Sequence, residues 1–112
     1  MSYDFNNIFA KILRNEIQHN KIYEDENCIA IHDINPVAPV HILVIPKGEY
    51  IHYSDFLEKA SDETILQFFK DVNKIAKEYA QDFRILTNCG VKSGQIVPHF
   101  HVHITSRAPM LK

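Results

Sequence analysis

Hydrophobic and polar residues alternate strictly along residues 98–104, near the C-terminal end of the chain. This two-residue period is that of a β-strand, whose successive side chains point to opposite faces. A helix would instead scatter the same residues around its circumference. One face of the predicted strand carries His99, His101 and His103, and the other carries Phe100, Val102 and Ile104. The pattern therefore predicts a strand with an apolar core side and a row of imidazoles.

Two other segments repeat their apolar residues with the period of an amphipathic helix. The first spans about residues 6–15 with Asn6 as its N-cap, and the second about 62–80 with Ser61 as its N-cap. Short apolar runs between polar or proline-containing turns predict further strands. These runs are residues 21–24, 28–32, 41–45 and 83–87, of which the first two suit an antiparallel hairpin. A small α+β domain follows from this order of helices and strands.

Composition and charge narrow the class of protein. The 112 residues suffice for one small domain, and a formal net charge of −2 without a basic cluster argues against nucleic acid as a partner. No apolar run is long enough to span a membrane, and the polar start of the chain does not resemble a signal peptide. Cys28 and Cys89 lie far apart without a CxxC spacing. We therefore expect free thiols and a cytoplasmic location.

The row of histidines is the strongest indication of chemistry in the chain, since it holds three of the seven histidines. Strand geometry places the Cα atoms of neighbouring histidines in the row about 6–7 Å apart. Two such imidazoles can chelate zinc together with a third ligand. A neutral imidazole is also a good nucleophile near pH 7. The spacing alone leaves metal binding and nucleophilic catalysis both open.

Two polar features accompany the histidine row. His41 opens an almost wholly aliphatic run, so we expect a buried ring with hydrogen-bond partners, and on its own a structural role. Residues 88–95 form a polar loop that contains two of the three glycines. Loops of this kind can turn successive backbone N–H groups toward an anion. Because the loop leads into the histidine row, it is a candidate phosphate site.

The run from His99 to Thr105 resembles the histidine-triad (HIT) motif, His-φ-His-φ-His-φ-φ, in which φ is hydrophobic. Four further blocks are similar to the Hint branch of that superfamily, the histidine-triad nucleotide-binding proteins, and they occur in family order. The blocks are residues 8–12, 32–36, 39–47 and 94–95. The resemblance covers about residues 8–107 and implies a single HIT domain over 1–112. It also implies a five-stranded antiparallel sheet with an N-terminal helix and one long helix, the sheet being extended across a homodimer.

The same resemblance implies a hydrolase that cleaves purine nucleoside phosphoramidates or aminoacyl adenylates. His101 would attack the α-phosphorus and form a covalent nucleotidyl-histidine, which water then hydrolyses. His99 and His103 would contact phosphate or leaving-group atoms, with His41 supporting them. The base of the AMP-type ligand would lie against an apolar wall, called the base wall, formed by Ile8, Phe9 and Ile34. The ribose hydroxyls would be held by Asp33, and His32 would also bind the nucleotide. The phosphate would be contacted by Asn88, Gly94, Gln95 and Ile96.

No cofactor is required on this interpretation, and zinc is not favoured. Two alternatives stay open: a dinucleoside polyphosphate hydrolase of the Fhit type, and a non-catalytic module that binds nucleotide or zinc. The block around Asp33 and the N-terminal helix favour Hint over Fhit. Ile96 stands where many Hint members carry a serine, whose hydroxyl can help the leaving group. We therefore expect slower phosphoramidate turnover, or use of the backbone N–H alone at that position.

Overall fold

The computed structural model describes residues 2–112, and the sheet runs through the middle of them. Its five strands are antiparallel in the spatial order β1-β2-β3-β5-β4. The helices and strands are α1 (Ile8–Leu13), β1 (Lys21–Glu24), β2 (Cys28–His32), β3 (Val40–Pro46), α2 (Tyr53–Lys59), α3 (Asp62–Tyr79), β4 (Arg84–Leu86) and β5 (Val102–Ser106). The predicted α+β class, with an N-terminal helix, a long helix and a five-stranded antiparallel sheet, is confirmed.

The central strand β3 is buried along its whole length because the sheet is covered on both faces. On one face, Ile42 and Val44 pack in a cluster with residues of α2 and α3. On the other face, Leu43 and Ile45 pack against residues of α1. Alternate residues of β3 thus belong to two separate cores. We refer to these faces of the sheet as the α3 face and the α1 face.

The long helix α3 begins where the sequence predicts. The Ser61 hydroxyl oxygen accepts a hydrogen bond from the Thr64 N–H at 3.1 Å, which caps the helix. Its buried side presents Phe68, Val72 and Ile75 to the sheet. Within residues 2–112, no helix combines the length and the apolar character needed to cross a membrane.

Helix α2 is absent from the sequence-based prediction. It has only seven residues, and Phe56 is its one fully buried apolar side chain, so no helical period is visible in the sequence. The Phe56 ring stacks on Phe100 at a centroid distance of 4.8 Å and meets Phe68 edge-on at 5.2 Å. This helix therefore links α3 to the segment that carries the histidines.

Helix α1 is shorter than predicted and has a different cap. The side-chain oxygen of Asn7 accepts a hydrogen bond from the Ala10 N–H at 2.8 Å, so Asn7 is the N-cap. The predicted cap, Asn6, instead donates its backbone N–H to the Asp4 carboxylate at 2.9 Å. At the other end the chain leaves the helix, and Asn15 adopts a φ of 61°. Residue type cannot decide which of the two neighbouring asparagines caps the helix, and only the turn before the helix does so.

The histidine-bearing strand also starts later than predicted. Regular pairing with β3 begins at Val102, opposite Val44. Before that point the backbone is held by other groups, since the Phe100 N–H donates to the Tyr50 carbonyl at 2.8 Å. His103 therefore lies within β5, whereas His99 and His101 lie in the segment leading into it.

Candidate active site

His101 has one ring nitrogen engaged and one free to react. Its Nδ1 lies 2.7 Å from the backbone carbonyl oxygen of His99. A carbonyl can only accept a hydrogen bond, so the proton of the neutral ring is on Nδ1 and the Nε2 lone pair is available. The ring is half-buried and packs edge-on against Phe9 at a centroid distance of 4.7 Å. The site thus presents an oriented, unprotonated imidazole nitrogen.

His41 and His103 form a second hydrogen-bonded unit beside His101. The Val37 N–H donates to His41 Nδ1 at 3.1 Å, which leaves the His41 proton on Nε2. That nitrogen is 3.0 Å from His103 Nδ1 and 3.2 Å from an Asp33 carboxylate oxygen. His103 Nδ1 therefore accepts, and its Nε2–H is a donor. The predicted supporting position of His41 matches this geometry.

Burial keeps the three histidines of the motif neutral near pH 7. Loss of hydration lowers the pKa of His99 and that of His103 to about 4. For His103, the neighbouring rings of His101 and His41 lower the pKa further, because like charges disfavour protonation. Burial also lowers the pKa of His101 below its ordinary value of 6.5. A neutral ring is the form that nucleophilic attack requires.

The expected contact between His99 and a phosphate group is wrong for this structure. The His99 side chain is completely buried. Its Nε2 is 2.8 Å from the Pro46 carbonyl oxygen, and its Nδ1 is 2.5 Å from the Tyr3 hydroxyl. Both ring nitrogens are thus engaged by the protein, and no surface remains for a ligand. His99 contributes its backbone carbonyl to the site instead.

His32 does not join the other candidate residues. It is paired with Ile42 across β2 and β3, so it projects from the α3 face, and its ring lies 6.0 Å from that of Tyr79. His103 pairs with Leu43 and therefore lies on the α1 face. The predicted contact of His32 with the nucleotide is wrong, because strand alternation directs its side chain to the opposite side of the sheet.

The base-wall candidates lie along the α1 side of the site. Phe9 is buried and contacts the His101 ring, whereas its neighbour Ile8 is exposed. Ile34 is 76% exposed and lines an open cavity of about 670 Å³ together with the segment 15–20. The lining of that cavity includes neither Phe9 nor a histidine of the motif. Asp33 follows β2 and is half-buried, with one carboxylate oxygen accepting from the Asn35 N–H at 2.9 Å.

The glycine loop offers fewer free donors than predicted. The Gly94 N–H donates to the Val91 carbonyl at 3.0 Å, and the Gln95 N–H donates to the Gly90 carbonyl at 3.1 Å. Both groups are thus used inside the loop, so the expectation that they bind phosphate is wrong for this conformation. Ile96, whose side chain is 92% exposed, has no hydrogen-bond partner for its N–H among residues 2–112. The Asn88 side chain lies beside Gly94, where an added Cβ would come within 3.7 Å of its amide nitrogen.

The Gln95 side chain holds the loop rather than facing a ligand. Its amide oxygen accepts from the Gly90 N–H at 2.8 Å. Its amide nitrogen donates to the Ile51 carbonyl at 2.7 Å and to the Val97 carbonyl at 2.9 Å. With all three contacts satisfied in a buried position, Gln95 ties the loop to the segment before α2.

Sequence reasoning misses two residues beside the histidines. The Thr87 hydroxyl donates to the His101 carbonyl at 2.8 Å and so anchors the backbone of His101. In the sequence, only the position of Thr87 at the end of a predicted strand, next to Asn88, indicates this contact. Tyr3 contacts His99 from the other end of the chain, and nothing in the sequence pattern indicates that contact.

Two clusters of side chains have the chemistry of metal ligands. Ligand atoms of Asp33, His41 and His103 lie within 4.8 Å of one another at the active site. The other cluster, Cys28 with Asp25 and Asp71, includes no histidine of the motif. Burial raises the pKa of the Cys28 thiol, which opposes formation of the thiolate that binds metals. The first cluster is thus the better candidate for a divalent cation.

The buried ring of His99 makes stability dependent on pH. Its pKa is about 4 in the folded protein and 6.5 when the ring is hydrated, so below pH 6.5 the unfolded chain binds the additional proton. We expect the free energy of unfolding to fall by about 1.4 kcal/mol per pH unit between pH 6.5 and 4 on account of this group. Urea unfolding at several pH values measures this slope.

The matched variant is H99Q, which lacks the titrating ring. Its stability should fall less steeply over the same range, by about the slope assigned to His99. Parallel stability curves for the two proteins would contradict the assignment.

Comparison with known proteins gives consistent similarities. The HIT domain family profile matches residues 14–110. An uncharacterised HIT-like protein of Rickettsia prowazekii (strain Madrid E) is 50% identical over 105 residues, covering 91% of this chain and 88% of that protein. A HIT family hydrolase from Clostridium thermocellum has a TM-score of 0.77 and 36% identity, covering 96% of this chain and 97% of the other.

A third similarity concerns nucleotide binding. The crystal structure of a hypothetical histidine triad nucleotide-binding protein from Sulfolobus tokodaii strain 7 has a TM-score of 0.77 and 34% identity. The match covers 91% of this chain and 70% of that one.

Proposed function

Because this chain belongs to the HIT domain family, we propose that it is a nucleotide hydrolase that acts through a covalent nucleotidyl-histidine intermediate. The substrates we assign are purine nucleoside phosphoramidates or aminoacyl adenylates. The observation that carries the proposal is the hydrogen bond from His101 Nδ1 to the His99 carbonyl, which leaves Nε2 free. The similarity to a HIT family hydrolase agrees with hydrolytic chemistry.

In the first step, His101 Nε2 attacks the α-phosphorus and a new N–P bond forms. The bond from phosphorus to the leaving group breaks, and its electron pair goes to the departing nitrogen or oxygen. The departing atom takes up a proton from solvent. We assign to His103 Nε2–H, the donor left by the His41 hydrogen bond, a hydrogen bond that stabilises the charge developing on that atom. In the second step water attacks the phosphorus, and the N–P bond breaks with its electron pair returning to His101 Nε2. The proton that the water loses goes to solvent, the nucleoside monophosphate is released and His101 is regenerated.

In our proposal three sets of groups orient the nucleotide. Phe9, Ile8 and Ile34 supply an apolar wall for a purine base. Asp33 lies close enough to His41 to couple a bound ribose to the histidines. The Ile96 N–H is the loop donor we assign to a phosphoryl oxygen, where preorganised donors stabilise developing charge. An isoleucine side chain there adds no hydroxyl donor.

Mass spectrometry after mixing with an adenosine phosphoramidate tests this function directly. We expect an adenylylated peptide that contains His101 and none at the other histidines. A parallel reaction with a dinucleoside polyphosphate separates the Fhit-type alternative, since faster turnover of that substrate would favour it. Hydrolysis without any trapped nucleotidyl peptide under rapid quench would count against the covalent intermediate.

A metal-binding function is the second candidate, because Asp33, His41 and His103 form a cluster with suitable donors. We expect hydrolysis to keep its rate after treatment with EDTA, since a neutral imidazole nucleophile and N–H donors suffice for the proposed step. The measurement is turnover before and after chelation, with metal content determined by elemental analysis. A large loss of rate that zinc restores would favour the metal site.

We also propose a homodimer formed through the edge of the sheet. Strand β4 lies at that edge and leaves one row of backbone groups without a strand partner. Ile85 of β4 and Leu66 of α3 expose apolar side chains. Pairing β4 with the same strand of a second copy would extend the sheet. Analytical ultracentrifugation would show a single 26 kDa species, about twice the 13.0 kDa chain, in dilute buffer.

A further inference from the structure

The hydroxyl of Tyr3 is hydrogen-bonded to the one histidine of the motif that a ligand cannot reach. Its oxygen is 2.5 Å from His99 Nδ1, and the other ring nitrogen, Nε2, is 2.8 Å from the Pro46 carbonyl. The carbonyl can only accept, so the ring proton is on Nε2 and Nδ1 must accept. Tyr3 is therefore the donor. Burial raises the pKa of the Tyr3 phenol, so it keeps this proton at neutral pH.

The backbone of His99 has one local support, since its N–H donates to the Val97 carbonyl at 2.8 Å. Pairing between β3 and β5 begins only at Val102, so no neighbouring strand holds residue 99. The next peptide N–H, that of Phe100, donates to the Tyr50 carbonyl at 2.8 Å. The carbonyl end of this His99–Phe100 peptide unit is held by the His99 side chain, whose ring makes two hydrogen bonds. That peptide unit carries the carbonyl that accepts from His101 Nδ1 at 2.7 Å.

We propose that Tyr3 is a positioning residue for the nucleophile. Its hydroxyl and the Pro46 carbonyl together fix the orientation of the His99 ring, and the His99 carbonyl in turn holds the His101 proton on Nδ1. The inference rests on the proposed function, since it assigns a role to Tyr3 in the same reaction. Tyr3 reaches the reacting nitrogen only through His99, and it needs no contact with substrate.

Contacts between aromatic rings also connect Tyr3, His99 and His101. The Tyr3 ring meets the His99 ring edge-on at a centroid distance of 5.6 Å and meets Phe5 at 5.3 Å. Phe9 lies edge-on to both His99, at 6.4 Å, and His101, at 4.7 Å. These contacts persist when the tyrosine hydroxyl is removed. A role limited to packing therefore predicts that Y3F behaves like the wild type, whereas the positioning role does not.

Steady-state kinetics of Y3F provide the first test. Without the hydroxyl, His99 Nδ1 is a buried acceptor with no partner, and the ring and its carbonyl lose their fixed orientation. We expect kcat to fall by about tenfold, with KM and the dissociation constant for AMP changed by less than about twofold. The matched control is Y53F, whose side chain is 42% exposed and lies beside Phe100. Wild-type kcat in Y3F would overturn the inference.

Nitrogen-15 NMR of the imidazole rings provides a readout that does not depend on turnover. In the wild type we expect His99 with protonated Nε2 and bare Nδ1, and His101 with the reverse. In Y3F the His99 Nδ1 signal should shift, because that nitrogen loses its hydrogen-bond donor, and the His101 Nδ1 proton should exchange faster with water. Unchanged ring signals in Y3F, or a protonated Nδ1 on wild-type His99, would overturn the inference.

The two measurements also separate this inference from the proposed function. A wild-type protein without hydrolase activity, but with the expected ring signals and their change in Y3F, would refute the hydrolase and support the Tyr3 contact. If the wild type is active and Y3F has the same kcat and ring signals, the result would support the hydrolase and refute the role of Tyr3.

Discussion

Replacing His101 with alanine or glycine is expected to lower turnover of an adenosine phosphoramidate by at least about a thousandfold. The variant loses the motif ring whose Nδ1 is held by the His99 carbonyl and whose Nε2 is unprotonated and free. The wild-type ring is also neutral near pH 7, because burial lowers its pKa. Binding of AMP should persist, since the base wall and Asp33 are unchanged. Steady-state kinetics and calorimetric titration with AMP measure the two effects separately.

The matched control for this substitution is H32A. His32 was expected to bind nucleotide, but its ring lies on the α3 face beside Tyr79. We expect H32A to keep turnover within about twofold of the wild type. Near-native turnover of H101A would remove the covalent mechanism, and a loss in H32A as large as that in H101A would mean that the site lies on the other face.

Replacing Phe100 with alanine is expected to lower the free energy of unfolding by about 3–5 kcal/mol. Phe100 is 1% exposed, and its ring stacks on Phe56 at 4.8 Å and lies 5.4 Å from Phe68. Removing it leaves a cavity where α2, α3 and the histidine segment meet. Because Phe100 lies between His99 and His101 in the chain, we also expect slower turnover in whatever fraction stays folded. Urea unfolding followed by circular dichroism gives the change in stability.

The control for Phe100 is the F5A variant. Phe5 is the same residue type but is 57% exposed, so its removal should cost about 1 kcal/mol or less. Equal losses in F100A and F5A would show that the aromatic cluster under the histidines does not carry the stability assigned to it.

Local features of the fold were predictable because they depend on neighbours in the sequence. The hairpin of β1 and β2 follows from two short strands joined by a polar turn, and the pairing of Tyr23 with Ala30 is antiparallel as expected. The cap of α3 follows from Ser61 preceding acidic residues and a long apolar period. The short helix α2 lacked such a period, since it buries little beyond Phe56.

Two site residues show why local pattern was insufficient. Alternation places His32 and Ile31 on opposite faces, but only the pairing of β2 with β3 decides which of the two faces the histidine motif. His99 lies in the motif, yet its ring is buried because Tyr3 and Pro46 close over it. These partners are 96 and 53 residues away along the chain, and no local signal connects them.

The sequence by itself determined the α+β architecture and predicted which histidine reacts, since period, capping and the histidine motif are all read over a few adjacent positions. Only the tertiary structure decided where each histidine ring lies and which of its nitrogens is free. It left Nε2 of the half-buried His101 ring free, buried His99 in the core and placed His32 on the α3 face. Burial and hydrogen-bond partners set the proton position and pKa of each ring, and both arise from segments that meet only after folding.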